Sequence, residues 1–148
     1  MALSLGLANA AYAVDFSGHW VGSGQIIEVV PFVGTKTSPC ARIEISIEHL
    51  TEKLTTKHYK ADCGFVGPDW GPNVMEIRGT EVFEDDEKTG TLIDDTLLTL
   101  DASGGVQYAY NLRLKKPAEG QPEVLESYYG VKSMAGTIVI EGGLKRVP

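Results

Sequence analysis

What most constrains this chain is the recurrence of apolar residues at every second position, in short runs broken by Gly, Pro, Asn and Asp, from Trp20 to Val147. A two-residue period puts alternate side chains on opposite faces of an extended chain, so each run describes a strand with one buried and one wet face. The plainest run is Val106 to Lys115. Val106, Tyr108, Tyr110, Leu112 and Leu114 share one face, and Gln107, Ala109, Asn111, Arg113 and Lys115 share the other. Thr96 to Asp101 reads as the preceding strand, and Ala102-Ser103-Gly104-Gly105 supplies the positive-φ residues of a tight hairpin. Helical spacing is hard to find.

Arg42 to His49 alternates in the same way, with Ile43, Ile45 and Ile47 against Glu44, Ser46 and Glu48. A turn near Thr51 to Lys53 and a return through Leu54 to Asp62 make a hairpin whose register sets Ile45 opposite His58 and Cys40 opposite Cys63. A slip of two residues keeps both cysteines on one face, so the expectation of a Cys40–Cys63 disulfide does not depend on the loop. Trp20 to Val30, Val74 to Phe83, Glu123 to Tyr129 and Gly136 to Val147 complete about eight strands. The expected fold is all-β, an antiparallel up-and-down barrel with each strand beside its sequence neighbour and the last closing on the first. A two-sheet sandwich with a Greek-key crossing is the alternative, through the longer segments Pro31 to Pro39 and Gly64 to Asn73.

With 148 residues, 43% of them hydrophobic, the chain supports one core and one domain, expected over residues 14–148. Its formal net charge of -7 argues against nucleic acid and anionic lipid as partners. Met1 to Ala13 is small, apolar and uncharged and ends in Ala11-Tyr12-Ala13, the small-x-small pattern of a cleavage site. Without the basic residues that open such segments, it reads as the remnant of a secretory signal peptide, the mature chain starting near Val14. No other apolar run approaches a membrane span. Export to a secreted or periplasmic location suits a structural disulfide, and the chain contains no CxxC or Cys/His metal spacing.

Gly18-His19-Trp20 resembles the Gly-x-Trp that opens the first strand of lipocalins and related calycin barrels, and Leu144-Lys145-Arg146 looks like their closing strand. The resemblance implies a Trp20 that plugs the barrel floor beneath an Arg146 lying on its indole, and a small apolar or amphipathic ligand. The stretch Phe16 to Gly24 is also similar to the opening of small secreted inhibitors of bacterial zinc proteases, barrels with one disulfide whose N-terminal arm enters the protease cleft. Avidins share the barrel and a Gly-x-Trp.

His49 and His58 fall on neighbouring strands, on one face in the expected register, but no third metal ligand joins them, so hydrogen-bonded histidines are expected and no metal. His58, Lys60 and Asp62 are candidates to line the interior; so is the opposite face of that strand, Tyr59 and Ala61. Glu84-Asp85-Asp86-Glu87 fits no calcium loop and reads as a solvated hairpin tip. Gly22-Ser23-Gly24 marks a bend or bulge within a strand. The loop Gly64 to Asn73, stiffened by Pro68 and Pro72, carries Phe65 and Trp70 and reads either as a lid or partner-binding loop or as aromatics folded over the barrel end. No triad, phosphate loop or zinc-protease helix motif is present, and no cofactor is expected.

The expectation is a binding barrel rather than an enzyme, holding a small apolar or amphipathic molecule through Tyr108, Tyr110, Leu112, His58 and Trp70. A protein-binding or inhibitory barrel acting through residues 64–73 is the alternative, and a cofactor-free enzyme comes third.

Overall fold

The computed structural model describes residues 14–116 and 118–148. The signal-peptide reading of Met1 to Ala13 lies outside the described residues. Eleven strands run in order β1 (Gly18–Val30), β2 (Gly34–Leu50), β3 (Lys53–Asp62), β4 (Asp69–Trp70), β5 (Asn73–Arg78), β6 (Glu81–Glu84), β7 (Glu87–Ile93), β8 (Thr96–Ser103), β9 (Val106–Lys115), β10 (Val124–Ser133) and β11 (Gly136–Val147). All pairings are antiparallel. β1 pairs with both β2 and β11, and β2 also pairs with β3, so the sheet closes on itself. The two-residue β4 lies on β3 alone, which leaves ten strands in the ring. Closure gives the backbone groups of both terminal strands a partner and removes the free edges.

The fold is therefore the expected all-β meander, with eleven strands in place of about eight. Val74 to Phe83 is two strands, because Gly79, at φ 66°, turns the chain between Arg78 and Glu81. Glu87–Ile93 is a strand of its own, hidden from the alternation pattern by its charged start and by Gly90. Pro31 to Pro39 is no crossing. It is a short turn at Phe32, at φ 65°, followed by the first part of β2, whose Pro39 still sits opposite Gln25. The Gly104-Gly105 pair, both at positive φ, joins β8 to β9 with Ser103 facing Val106, as the hairpin reading required.

The core fills the lower barrel. Ile43, Ile45 and Ile47 from β2 meet Leu54, Leu97, Leu112, Leu125 and Leu144, all buried. At the floor, Trp20 is fully buried and its indole N–H donates to the Phe16 carbonyl at 2.9 Å. The Arg146 guanidinium lies 4.5 Å over the Trp20 ring and donates to the carbonyls of Asp15 and Ser17. Gly22 and Gly24 are needed where the wall bends sharply: a Cβ at Gly24 would lie 2.0 Å from the Glu141 carbonyl oxygen, and the β1–β2 register shifts between the two glycines.

The disulfide joins Cys40 to Cys63, but the register behind it differs from the simple hairpin. Near the turn His49 faces Leu54 and Ile47 faces Thr56; then Lys57 is bulged out, and Ser46 faces His58 and Ile45 faces Tyr59. The one-residue slip exchanges the faces of everything beyond it. Tyr59 and Ala61 point into the barrel, and His58, Lys60 and Asp62 point to solvent. His58 therefore does not line the interior and does not approach His49; it pairs with Asp69 on the outside.

Candidate functional site

The barrel's upper end is built differently from its floor. Inward positions there are Tyr59 on β3, Tyr110 on β9 and Tyr129 on β10, and Trp70 folds in over them from the loop after Cys63. The Trp70 and Tyr59 rings stack with centroids 5.0 Å apart and 9° between planes. Tyr110 meets Trp70 edge to face at 5.3 Å, and Tyr129 lies tilted against it at 5.6 Å. Such geometries are those that aromatic quadrupoles favour. Phe65, five residues before Trp70, is fully exposed, so the two loop aromatics part company: one closes the barrel end and the other stands in water.

Between this cluster and the tips of β6 and β8 lies a cavity of about 170 Å³. Trp70, Tyr110 and Tyr129 form its aromatic side, Met75 and Thr99 its base, and Asn73, Glu84, Asp101 and Tyr108 its rim. Tyr108 is 40% exposed and marks the mouth, one turn of the pleat above the buried Tyr110. Leu112, next on that face, is buried below the cavity in the packed core. Of the five residues expected to contact a ligand, the fold brings Tyr108, Tyr110 and Trp70 together, leaves Leu112 beneath them, and places His58 outside.

The polar atoms around the cavity are unevenly satisfied. The Thr56 hydroxyl donates to the Tyr110 hydroxyl at 3.0 Å, the Thr99 hydroxyl donates to the Tyr110 carbonyl at 2.6 Å, and the Asn73 amide donates to Glu84 at 2.9 Å. By contrast the Trp70 indole N–H, the Asn73 carbonyl oxygen and the Tyr59 hydroxyl are buried with no protein partner. A buried polar atom left unpaired costs about 1–3 kcal/mol, so the Trp70 N–H and the Asn73 oxygen, two such atoms on one cavity lining, mark a spot suited to hydrogen-bonding groups. Burial, reinforced by the charges of Asp101 and Asp85, raises the Glu84 carboxyl above its ordinary value against the pull of the Asn73 hydrogen bond. Burial likewise pushes the Tyr59, Tyr110 and Tyr129 hydroxyls upward, so all three stay neutral donors at neutral pH.

A larger depression, about 880 Å³, lies on the outer wall across β1, β8, β9, β10 and β11. It lies on the outside of the barrel, away from the aromatic cluster; within it Lys115 pairs with Glu126 at 3.0 Å and Gln25 donates to Glu141 at 2.7 Å, while the buried Ser127 hydroxyl has no protein partner. Among the described residues, no group of three or more His, Cys, Asp or Glu side chains is placed to hold a metal ion, and no helix is long and apolar enough to cross a membrane.

Asp101, Asn73 and Tyr129 were not singled out from the sequence; Tyr59 stood there as one of two alternatives for the interior, and Glu84 as part of a solvated hairpin tip. Two signals were present. Asp101 continues the inward parity of Leu97 and Thr99, and an acid at such a position is itself a flag. The apolar parity of β3 also changes between Leu54 and Tyr59, which is how a bulge looks in sequence. Glu84 was masked by its acidic neighbours: Asp85 and Asp86, both at positive φ, make the turn, while Glu84 faces inward.

The chain matches no protein-family model and no curated protein. It is similar to the crystal structure of a protein of unknown function from the DUF3598 family of Nostoc punctiforme, at a TM-score of 0.49 and 12% identity over 89% of this chain. That similarity covers 47% of the Nostoc protein, so the present chain spans about half its length.

Proposed function

We propose that this protein is a ligand-binding barrel of an extracytoplasmic compartment that takes a small amphipathic molecule into its upper end. The observation that carries the reading is the cavity itself, walled by Trp70, Tyr110 and Tyr129 and edged by the unpaired Trp70 N–H and Asn73 oxygen. Concave, mostly apolar sites with a few convergent polar groups are what small-molecule sites look like. At about 170 Å³ the cavity is smaller than the roughly 300–1,000 Å³ that encloses a whole drug-sized ligand, so the ligand inserts a head and leaves its remainder at the Tyr108 rim. The disulfide supports the compartment, since such bonds persist where the surroundings are oxidising.

The test is a titration with the neutral amphipathic dye prodan. Saturable binding to the wild type, weakened by Tyr108→Phe and abolished by Trp70→Ala with the fold intact, supports the reading. Unsaturable binding, or saturable binding indifferent to both changes, refutes it. The fully exposed Phe65 favours a second reading, a protein partner held by residues 64–73. A partner from the host lost on Phe65→Ala, with prodan binding absent in the wild type, moves the function to that loop.

A further inference from the structure

The charges around the cavity narrow the ligand beyond amphipathic. Its lining contains two carboxylates, Glu84 and Asp101, and no Lys, Arg or His. Burial raises the Glu84 carboxyl, and the charge of Asp101 adds to it. Among the described residues no cationic side chain lines the cavity to offset the two acids. Beside them, the perpendicular pair Trp70 and Tyr110, 85° between planes, makes a corner, and Tyr129 adds a tilted third wall.

Aromatic faces carry negative quadrupole potential, and an aromatic corner closed by carboxylates attracts cations, above all those with a greasy periphery. A hard divalent ion is a poor fit, because it takes six or more oxygen ligands, and among the described residues no group of three or more His, Cys, Asp or Glu side chains is placed to hold a metal ion. An anionic head group, such as a fatty-acid carboxylate, would be repelled by both acids. Taking the binding reading above as its basis, we propose that the cavity recognises an organic ammonium group, a methylated or primary amine, with Trp70, Tyr110 and Tyr129 as the cage and Glu84 and Asp101 as counter-ions. The overall charge of -7 favours the approach of such a ligand.

Choline and its uncharged isostere 3,3-dimethylbutan-1-ol have the same shape and differ in the charge, so competition of each against bound prodan isolates the electrostatic part. The expected result is that choline binds at least about tenfold tighter than the isostere, and that Glu84→Gln and Asp101→Asn each remove most of that difference, read as the ratio of the two competitors' affinities within each variant. Thermal melts of both variants, matching wild type within a few degrees, separate a lost counter-ion from a lost fold. Equal competition by choline and the isostere overturns the ammonium assignment and leaves the binding barrel standing. Failure of prodan, choline and isostere alike overturns both.

Discussion

The Trp70 indole lies flat on the Tyr59 ring, 5.0 Å between centroids, and the two residues are direct partners across the short β3–β4 ladder. Two features hold them in register. The bulge at Lys57 turns Tyr59 inward, and Gly71 passes so close to that bulge that a Cβ would sit 2.4 Å from the Lys57 carbonyl oxygen. Gly71 is also at φ 145°, where a side chain is strained. Gly71→Ala is therefore expected to cost more than about 1 kcal/mol and to pull Trp70 off Tyr59. Near-UV circular dichroism and probe binding read the displacement, and an unchanged spectrum with unchanged binding would show that the close approach does not place Trp70.

The disulfide closes the base of the same loop, since Cys63 ends the β3 path and the next residues lead to Trp70. Cross-linking residues 23 apart in sequence removes chain entropy worth about 3 kcal/mol from the unfolded state. The Cys40→Ala, Cys63→Ala double variant should lose that amount in urea unfolding. It should also bind prodan more weakly before it unfolds. Equal midpoints with and without the bond would contradict the first expectation, and undiminished binding the second.

At the floor, Trp20→Ala is expected to cost about 3–5 kcal/mol, because a fully buried ring leaves a cavity that packed neighbours cannot fill. Arg146→Ala removes the cation over the ring and the ties to Asp15 and Ser17, and should cost about 1 kcal/mol. Chemical denaturation of each variant checks both values. A Trp20→Ala loss below about 1 kcal/mol would place that side chain at a surface rather than in the core.

His49 gives the floor a pH dependence. Its Nδ1 accepts the Phe16 N–H at 3.2 Å and its ring stacks on Phe16, so the fold holds it neutral; burial lowers its pKa, with Asp15 opposing. A base whose pKa is lower folded than unfolded binds more protons in the unfolded chain. Its contribution is fully present above the unfolded value near about 6.5 and fades as the pH falls through the lower folded value. The wild type should thus lose stability between pH 7.5 and 5.0 more steeply than His49→Asn, which keeps an acceptor and cannot titrate. Parallel melting curves for the two proteins across that range would remove His49 from the account.

The alternation of Val106 to Lys115 carried most of what could be read without a structure, because a period of two has only two faces and the buried one must hold Tyr110, Leu112 and Leu114. The same logic failed at β3, where one bulged residue inverted the parity beyond Lys57 and took His58 out of the interior. Local pattern cannot reveal which of two parities wins after a bulge; packing across the barrel decides it. That the two acids share one cavity was illegible for a related reason, although Asp101 alone was flagged by its inward parity. Glu84 and Asp101 stand on different strands, β6 and β8, with β7 between them, and only the pairing of all three in the sheet brings both acids to one cavity.

The most direct measurement uses methionine methyl groups as reporters. The chain has three methionines; Met75 is buried in the base of the cavity, and Met134 is exposed at the β10–β11 tip, outside the cavity lining. In protein labelled with ¹³C at the methionine methyls, titration with prodan should shift the Met75 signal saturably and leave Met134 in place. A Met75 signal that does not move while prodan is bound, or a shift confined to Met134, would contradict a ligand site inside the upper barrel.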